Sequence, residues 1–235
     1  MVFKIEIANK VIEISSIYKW SYNYCKNYLS EKNPNFKIMI TDDDIVFERQ
    51  RSKIECSDEY LESLAIQRKI AEKMPEYNII LFHGSIIAVD NKGYLFTAPS
   101  GTGKSTHTAL WKQHFGKRAE IINDDKPFIE ITDNDIFIYG TPWCGKHNLN
   151  KNKKVSLRGI CILSQDNKNW IEKIDKKTSY VELYKQVYHI LRSTENTIKT
   201  LKLFDKLLNI PVYKMGCTIS EEAVLIAYNK MKEGK

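Results

Sequence analysis

The chain has 235 residues, of which 43% are hydrophobic and 28% charged, and its formal net charge is +7. This composition is typical of globular proteins and suffices to bury a core. No apolar run reaches the eighteen residues of a membrane span, and no signal peptide is recognisable, so we expect a cytoplasmic protein that does not bind membranes. The lysines form no basic stripe with interleaved aromatic residues, which argues against nucleic-acid binding.

The cysteines predict neither a disulfide framework nor a zinc site. Five cysteines are scattered along the chain, and none forms a C-x-x-C pair: Cys25, Cys56, Cys144, Cys161 and Cys217. We therefore expect reduced, mostly structural thiols.

The N-terminal part mixes strand and helix patterns. Residues 2–15 alternate as one or two strands, and residues 17–29 carry apolar side chains at helical spacing. Residues 36–40 and 45–49 flank the acidic turn 41–44, a pattern that predicts a hairpin. We expect these strands to extend the sheet of the following part.

A helix is predicted to begin after Ser57 and Asp58, whose short polar side chains can cap it. Apolar residues then recur at helical spacing until about Lys73, and Pro75 ends the helix.

The middle of the chain predicts a hairpin that leads into a glycine-rich loop. Residues 79–82 and 85–89 are apolar, residues 90–93 form a turn, and residues 94–97 return as a strand. The loop at residues 98–106 then opens a helix. That helix extends to about Phe115, Gly116 ends it, and residues 119–122 form a strand.

The remainder alternates short strands with turns and then becomes mostly helical. Strands are predicted at 128–131, 136–139 and 159–163, and helices at 180–191, at 197–208 and after Thr218. Thr218 and Glu221 fit a capping box.

The whole pattern predicts one domain, residues 1–235, of α/β class. It comprises an N-terminal strand and helix extension (1–78), a mixed, β-rich nucleotide-binding core around a P-loop (79–165) and a mostly helical C-terminal part (166–235).

The glycine-rich loop is a candidate phosphate-binding site. Residues 98–105 match the pattern G-x-x-x-x-G-K-[ST], except that Ala98 replaces the first glycine. Gly101 and Gly103 allow backbone N–H groups to face phosphate oxygens, and the following helix presents its N-terminus. Lys104 supplies a charge to the β- and γ-phosphates, and Ser105 can ligate Mg²⁺. The predicted cradle is completed by Ser100, Thr102 and Thr106.

Asp124 and Asp125 end an apolar strand about twenty residues after Lys104. One carboxylate can hold Mg²⁺, and a second can accept a proton from an attacking hydroxyl. Both are candidate metal ligands and catalytic residues, and one of them could instead only cap the loop.

Three further residues are candidates from their positions. His83 ends a strand before the hairpin, so a catalytic role and a packing role are both open. Lys146 lies in a Gly-, Pro- and Trp-rich loop that could contact the ligand, although its Trp143 could also be a structural anchor. Arg158 begins a strand and suits phosphate recognition, but an arginine in such a place is usually solvated.

In these residues the chain resembles the HPr kinase/phosphorylase family and the wider phosphoenolpyruvate-carboxykinase-like fold. The shared features, over roughly residues 80–165, are His83-Gly84, the hairpin, the loop from Ser100 to Ser105, Asp124-Asp125, and the segment from Leu157 to Ile160 with Arg158. The resemblance implies that His83 and the aspartates serve phosphate chemistry, with one Asp as base towards a serine hydroxyl, and that Arg158 belongs to a second signature.

The sequence departs from that family at three places. Ser156 and Thr106 stand where the family has glutamates, and the first 75 residues do not resemble its N-terminal domain. The chain is more similar to the stand-alone kinase-like relatives, some of which phosphorylate a precursor peptide.

The sequence therefore predicts an ATP- and Mg²⁺-dependent kinase for a Ser or Thr hydroxyl on a protein or peptide. A small-molecule kinase or carboxykinase-like enzyme is an alternative, although no second metal cluster is visible for a carboxykinase. A nucleotide-binding module without turnover is a third possibility. Relatives often form oligomers, and a homo-oligomer is possible here.

Overall fold

Two β-sheets and seven α-helices make up residues 1–145, 148–188 and 193–233, which the computed structural model describes. The strands are β1 (Val2–Ile7), β2 (Lys10–Ser15), β3 (Phe36–Met39), β4 (Ile79–Leu81), β5 (Ser85–Val89), β6 (Lys92–Thr97), β7 (Ala119–Asn123), β8 (Phe128–Ile131), β9 (Ile136–Tyr139), β10 (Lys154–Gln165), β11 (Trp170–Ile174) and β12 (Val212–Cys217). The helices are α1 (Lys19–Tyr24), α2 (Asp42–Arg51), α3 (Asp58–Lys73), α4 (Lys104–Phe115), α5 (Lys176–Leu183), α6 (Thr194–Leu207) and α7 (Glu221–Lys232).

The larger sheet has nine strands of mixed direction. Seven follow the order β4-β8-β9-β10-β6-β5-β7, and β12 pairs with both β10 and β11. β10 runs parallel to β6 and β12 and antiparallel to β9. The mixed α/β class predicted from the sequence is therefore confirmed.

The N-terminal strands form a sheet of their own, so the expectation that they extend the main sheet is wrong. β1 and β2 pair antiparallel, and β3 runs parallel to β2. Alternation shows that a segment is a strand with one buried face, but it does not identify the strand's partner. The small sheet still shares a hydrophobic cluster with the main sheet, in which Ile5 and Ile12 group with Phe128 and Tyr139.

The predicted second strand of the 36–49 hairpin is wrong, because residues 42–51 form α2. Thr41 and Asp44 make a capping box, in which each residue satisfies a free backbone N–H of the other. The acidic residues read as a turn are the first turn of a helix, where carboxylates interact favourably with the helix dipole. Buried ion pairs from Arg68 on α3 to Asp44 and Glu48 then hold α2 in place.

The predicted helix after Ser57 is confirmed as α3, capped by the Ser57 side chain. The C-terminal part is less helical than predicted, because β11 and β12 interrupt it. The last helix begins later than expected, since Ser220 rather than Thr218 accepts the capping hydrogen bond from Ala223 N. The predicted helix at 180–191 appears as the end of α5, and its last three residues lie outside the described part.

None of the described helices is both long and apolar enough to cross a bilayer.

Candidate active site

Three neighbouring strands bring most of the candidate residues to one edge of the main sheet. β5 lies between β6 and β7 and is antiparallel to both. The carboxyl ends of β6 and β7 therefore meet at the amino end of β5. The glycine-rich loop follows β6, Asp124 and Asp125 follow β7, and His83 precedes β5 by two residues. The hairpin predicted to lead into the loop is confirmed, with Asp90 and Asn91 both at positive φ in its turn.

The loop between β6 and α4 needs glycine at two positions for conformational reasons. Gly101 has φ +81° and Gly103 has φ +112°, both in the region that other residues rarely adopt. Nothing lies within 4 Å of a Cβ added at either position. Glycine is therefore required by the positive φ and not by a lack of room for a side chain. Gly103 is also the N-cap residue of α4. The loop thus ends at a helix N-terminus, where backbone N–H groups favour an anion.

Lys104, the first residue of α4, folds back over the loop. Its Nζ donates a hydrogen bond to the carbonyl oxygen of Ala98, 2.9 Å away. Partial burial lowers the pKa of Lys104 below its ordinary value, and the negative charge of Asp125 opposes this shift. Ser105 is half-buried and Thr106 exposed, both in the first turn of the same helix.

Asp125 and His83 form a contact at the same edge. His83 Nε2 lies 3.2 Å from Asp125 Oδ1, and His83 Nδ1 lies 3.1 Å from Gln186 Oε1. Burial acts to raise the pKa of Asp125, but the hydrogen bond with His83 and the charges of Lys126 and Lys104 outweigh it and hold the pKa below its ordinary value. Asp125 is therefore a carboxylate at neutral pH, with its side chain about one-third exposed.

Asp124 is more deeply placed than Asp125 and is only 3% exposed. Its Oδ1 accepts a hydrogen bond of 2.6 Å from the backbone N–H of Gly145. A Cβ on Gly145 would lie 2.9 Å from the Asp124 carboxylate, so this position requires glycine for close approach. The two adjacent aspartates thus have different surroundings, with Asp125 facing His83 and Asp124 facing the 140–145 loop.

Asn123 fixes the position of this aspartate turn. Its side-chain oxygen accepts hydrogen bonds from the backbone N–H groups of Asp125 and Lys126, at 2.9 and 2.7 Å. Its side-chain nitrogen donates to the carbonyl oxygens of Thr141 and Trp143. Because Asn123 is fully buried, every one of these bonds replaces a lost contact with water.

The loop predicted to contact a ligand is anchored to the N-terminal part by a buried tryptophan. Trp143 is 3% exposed, and its indole N–H donates a 2.9 Å hydrogen bond to the carbonyl oxygen of Ser63 on α3. The alternative of a structural Trp anchor thus describes Trp143. Lys146, the predicted ligand contact in this loop, lies outside the described residues.

The structure does not bring Arg158 to the other candidates. β10 runs parallel to β6, with Ser156 opposite Lys92 and Ile162 opposite Thr97. Arg158 therefore lies four residues before Ile162, the residue opposite the end of β6 where the glycine-rich loop begins, which is roughly 13 Å along a strand. Arg158 lies instead in a β-bulge. There it lines a separate cavity together with Asp133 and other residues. The sequence alone could not place it because the register between β6 and β10 was unknown.

Sequence reasoning missed three residues that shape the site: Asn123, Gln186 and Gly145. The role of Asn123 could have been predicted, because it is a polar residue that ends the apolar strand Ala119–Asn123. The sequence carries no comparable pattern for Gln186 and Gly145, since their roles come from contacts across long sequence separations.

The side chains present fit a bound Mg²⁺ of the kind that accompanies a nucleotide. Among the described residues no group of three or more His, Cys, Asp or Glu side chains could hold a metal by itself. Mg²⁺ in such sites uses one or two protein oxygens, together with phosphate oxygens and water. The Ser105 hydroxyl and the carboxylates of Asp124 and Asp125 provide hard oxygen ligands of this type.

His107, one turn into α4, makes the stability of the fold dependent on pH. It is 3% exposed, its Nε2 accepts a hydrogen bond from Trp111 Nε1, and burial lowers its pKa from 6.5 to about 4. The neutral form is thus favoured in the folded state, so its contribution is complete above pH 6.5 and is lost as the pH falls towards 4. We expect the free energy of unfolding to drop by about 2 kcal/mol between pH 6.5 and 5 through this group.

Urea unfolding of the wild type and of His107→Gln at several pH values between 4 and 7.5 measures this effect. The substitution should flatten the dependence on pH, whatever it does to the stability at pH 7.5. An unchanged slope in the variant would assign the dependence to other groups.

Comparison with known proteins places the chain in no family. No protein-family model matches it, and no curated protein matches it. Among solved structures, it is similar to the Hpr(Ser) kinase/phosphatase from Coxiella burnetii, with 13% sequence identity and a TM-score of 0.37 over 65% of this chain and 97% of that chain. At this TM-score the likeness is too weak to carry a conclusion about the chain.

Proposed function

We propose that the protein transfers the γ-phosphate of ATP, with Mg²⁺, to the hydroxyl of a Ser or Thr in a protein or peptide. One observation carries the proposal: the ionised Asp125, held by His83, shares a sheet edge with Lys104 and the glycine-rich loop. Phosphoryl transfer requires positioning and neutralisation of charge, together with a group that orients the acceptor hydroxyl, and this edge offers both.

The donor side would be the loop and α4. Backbone N–H groups around Gly101 and Gly103, together with the helix N-terminus, suit the phosphates, and Lys104 would exchange its bond to Ala98 for the β- and γ-phosphates. A cavity of about 420 Å³ adjoins the loop and suits the base and ribose. Its lining includes Thr106, Leu110, Gln165, Thr218 and Ile219.

The acceptor side would be Asp125. Its carboxylate would accept a hydrogen bond from the attacking hydroxyl and receive the proton as the bond to phosphorus forms. A lowered pKa suits an orienting role, since in a loose transition state the hydroxyl keeps its proton until late. His83 would fix the orientation of the carboxylate, and Gln186 that of the imidazole.

Mg²⁺ would be held by Ser105 and by Asp124 or Asp125. When bound, the ion neutralises charge on the β- and γ-phosphate oxygens. The motif resemblance to HPr kinase/phosphorylase favours a hydroxyl acceptor on a polypeptide. A cytoplasmic location and a homo-oligomer remain predictions.

Two alternatives keep the same nucleotide site. A small-molecule kinase would use the same Lys104 and Asp125 with a compact acceptor. A regulatory module would bind nucleotide without turnover, but it has no use for a carboxylate held ionised next to Lys104.

A transfer assay with γ-labelled ATP and Mg²⁺ separates these functions. Peptides and cell lysate are offered as acceptors, with Lys104→Ala as the control. Label on Ser or Thr of a polypeptide, absent with the control, is the expected result. Label confined to a metabolite would establish a small-molecule kinase instead, and binding of ATP without any transfer would leave the regulatory module.

A further inference from the structure

Helix α3 and the segment after α1 are joined to the loop that holds Asp124. Trp143 binds the carbonyl oxygen of Ser63 on α3, and the Ser63 hydroxyl donates to the carbonyl oxygen of Tyr60, 2.7 Å away. After α1, the Tyr28 hydroxyl donates to Asn150, whose amide donates to Cys144 Sγ at 3.0 Å. The second turn of α3 and the segment after α1 therefore contact the 140–145 loop, which holds Asp124.

Aromatic side chains are exposed on this flank. Trp20 is 37% exposed and stacks on Tyr24 with 4.7 Å between ring centroids, and Tyr60 is 43% exposed. Tyr60 lies one turn before Ser63 on α3, and Ser63 binds Trp143 of the loop that holds Asp124. The Ser21 hydroxyl, next to Trp20, donates a hydrogen bond to Glu62 and so joins α1 to α3 beside Tyr60. We call Trp20, Tyr24 and Tyr60 the aromatic face. Exposed Trp and Tyr rings grouped beside a reactive carboxylate are typical of surfaces that bind a partner.

The border of the aromatic face is acidic beside Tyr60, although the chain as a whole carries a net charge of +7. Asp58 and Glu59 directly precede Tyr60 in the first turn of α3, and Asp42 lies in the first turn of α2. Burial and the charges of these three residues raise the pKa of the neighbouring Tyr18. Arg49 pairs with Asp58 and offsets part of this charge. The flank beside Tyr60 therefore carries acidic side chains, whereas the donor side presents Lys104 and a helix N-terminus.

We infer that the aromatic face binds the acceptor, and that the acceptor is a basic peptide segment with an aromatic or large aliphatic residue near its Ser or Thr. The inference rests on the proposed function for the identity of the reacting group. The aromatic face adjoins the loop that holds Asp124, the neighbour of Asp125, so a peptide bound there can present its hydroxyl to the site. The exposed rings offer a contact site for an apolar side chain, and the acidic border attracts basic side chains. An acidic peptide would meet like charge at this border.

The test uses synthetic peptides of equal length, each with a single Ser. One carries Lys and Phe next to the Ser, one carries Lys and Gly, and one carries Glu and Phe. Transfer from saturating ATP gives kcat and KM, and fluorescence anisotropy with labelled peptides gives binding without turnover. The variants are Trp20→Ala, Tyr60→Ala and Glu59→Lys.

Two control variants match these changes away from the aromatic face. Glu195→Lys reverses a charge in the first turn of α6, as Glu59→Lys does in the first turn of α3. Ile198→Ala truncates an apolar side chain that is 49% exposed on α6. Thermal unfolding and the Kd for ATP show whether each variant is folded.

The expected result is a preference for the Lys and Phe peptide. Trp20→Ala, Tyr60→Ala and Glu59→Lys should each raise its KM and Kd about tenfold, with kcat and the Kd for ATP unchanged. Transfer without preference among the peptides, or variants with unchanged KM, would overturn the inference while leaving the proposed function intact. Binding of the Lys and Phe peptide through Trp20 and Tyr60 without any transfer would instead remove the proposed function and keep the binding face.

Discussion

Asp125→Asn should lower kcat for phosphate transfer roughly 100- to 10,000-fold, the usual contribution of a positioned acid or base. The amide has the same shape and can still accept a hydrogen bond from His83, so the fold should persist. What is lost is the negative charge that orients the hydroxyl and receives its proton. Removing a negative charge close to Lys104 does not weaken attraction for an anionic nucleotide, so the Kd for ATP should change little when Asp124 is the carboxylate that holds Mg²⁺.

Steady-state transfer and calorimetric titration with ATP measure these two quantities. Asp135→Asn is the matched control, because Asp135 lies in the turn between β8 and β9, at the opposite end of β8 from Asp125. It should behave as the wild type. If Asp125→Asn lost affinity for ATP and turnover by the same factor, Asp125 would be part of nucleotide binding and not the group that acts on the acceptor.

Lys104→Ala should lower kcat roughly 100- to 1,000-fold, the effect of removing one group that stabilises transition-state charge. It should also weaken ATP binding, because the ammonium group would contact the β- and γ-phosphates before transfer as well as during it. ADP binding should weaken less than ATP binding, since ADP lacks the γ-phosphate. This difference between nucleotides separates contact with the γ-phosphate from general electrostatic attraction.

Lys117→Ala is the control for this prediction. Lys117 lies just after α4 and lines a separate cavity together with Arg118, Lys151 and Lys153. It should leave ATP binding and transfer unchanged. Full activity in Lys104→Ala, or loss of ATP binding in Lys117→Ala, would move the nucleotide away from the glycine-rich loop.

Features with local causes were predictable from the sequence. The hairpin of β5 and β6 follows from the turn at Asp90 and Asn91, and α3 follows from the Ser57 cap and the helical spacing after it. The loop and the helix after it were also readable, because Gly101 and Gly103 stand where the backbone needs positive φ.

Features with non-local causes were not predictable. α2 is fixed by ion pairs from Arg68, some twenty residues further along the chain. β12 joins the main sheet by parallel pairing with β10, about fifty residues earlier. A short apolar segment such as this fits a strand or a helix equally well until its partner is known.

The residues of the candidate site also divide into those that the sequence predicts and those that depend on non-local contacts. His83, Lys104 and Asp125 were found because they lie next to strand ends, and the strands adjoin. Asn123 and Gln186 orient these groups through contacts that sequence spacing does not reveal. Arg158 was proposed from its motif, but the register of β10 against β6 places it at the other end of the strand.

A crystal structure with a non-hydrolysable ATP analogue and Mg²⁺ tests the central claim most directly. We predict the triphosphate in the loop at residues 98–104, with γ-phosphate oxygens within hydrogen-bond distance of Lys104 Nζ and the phosphorus facing Asp125. The bond between Lys104 and Ala98 should then be broken. A nucleotide bound elsewhere, or one whose γ-phosphate points away from Asp125, would contradict the account.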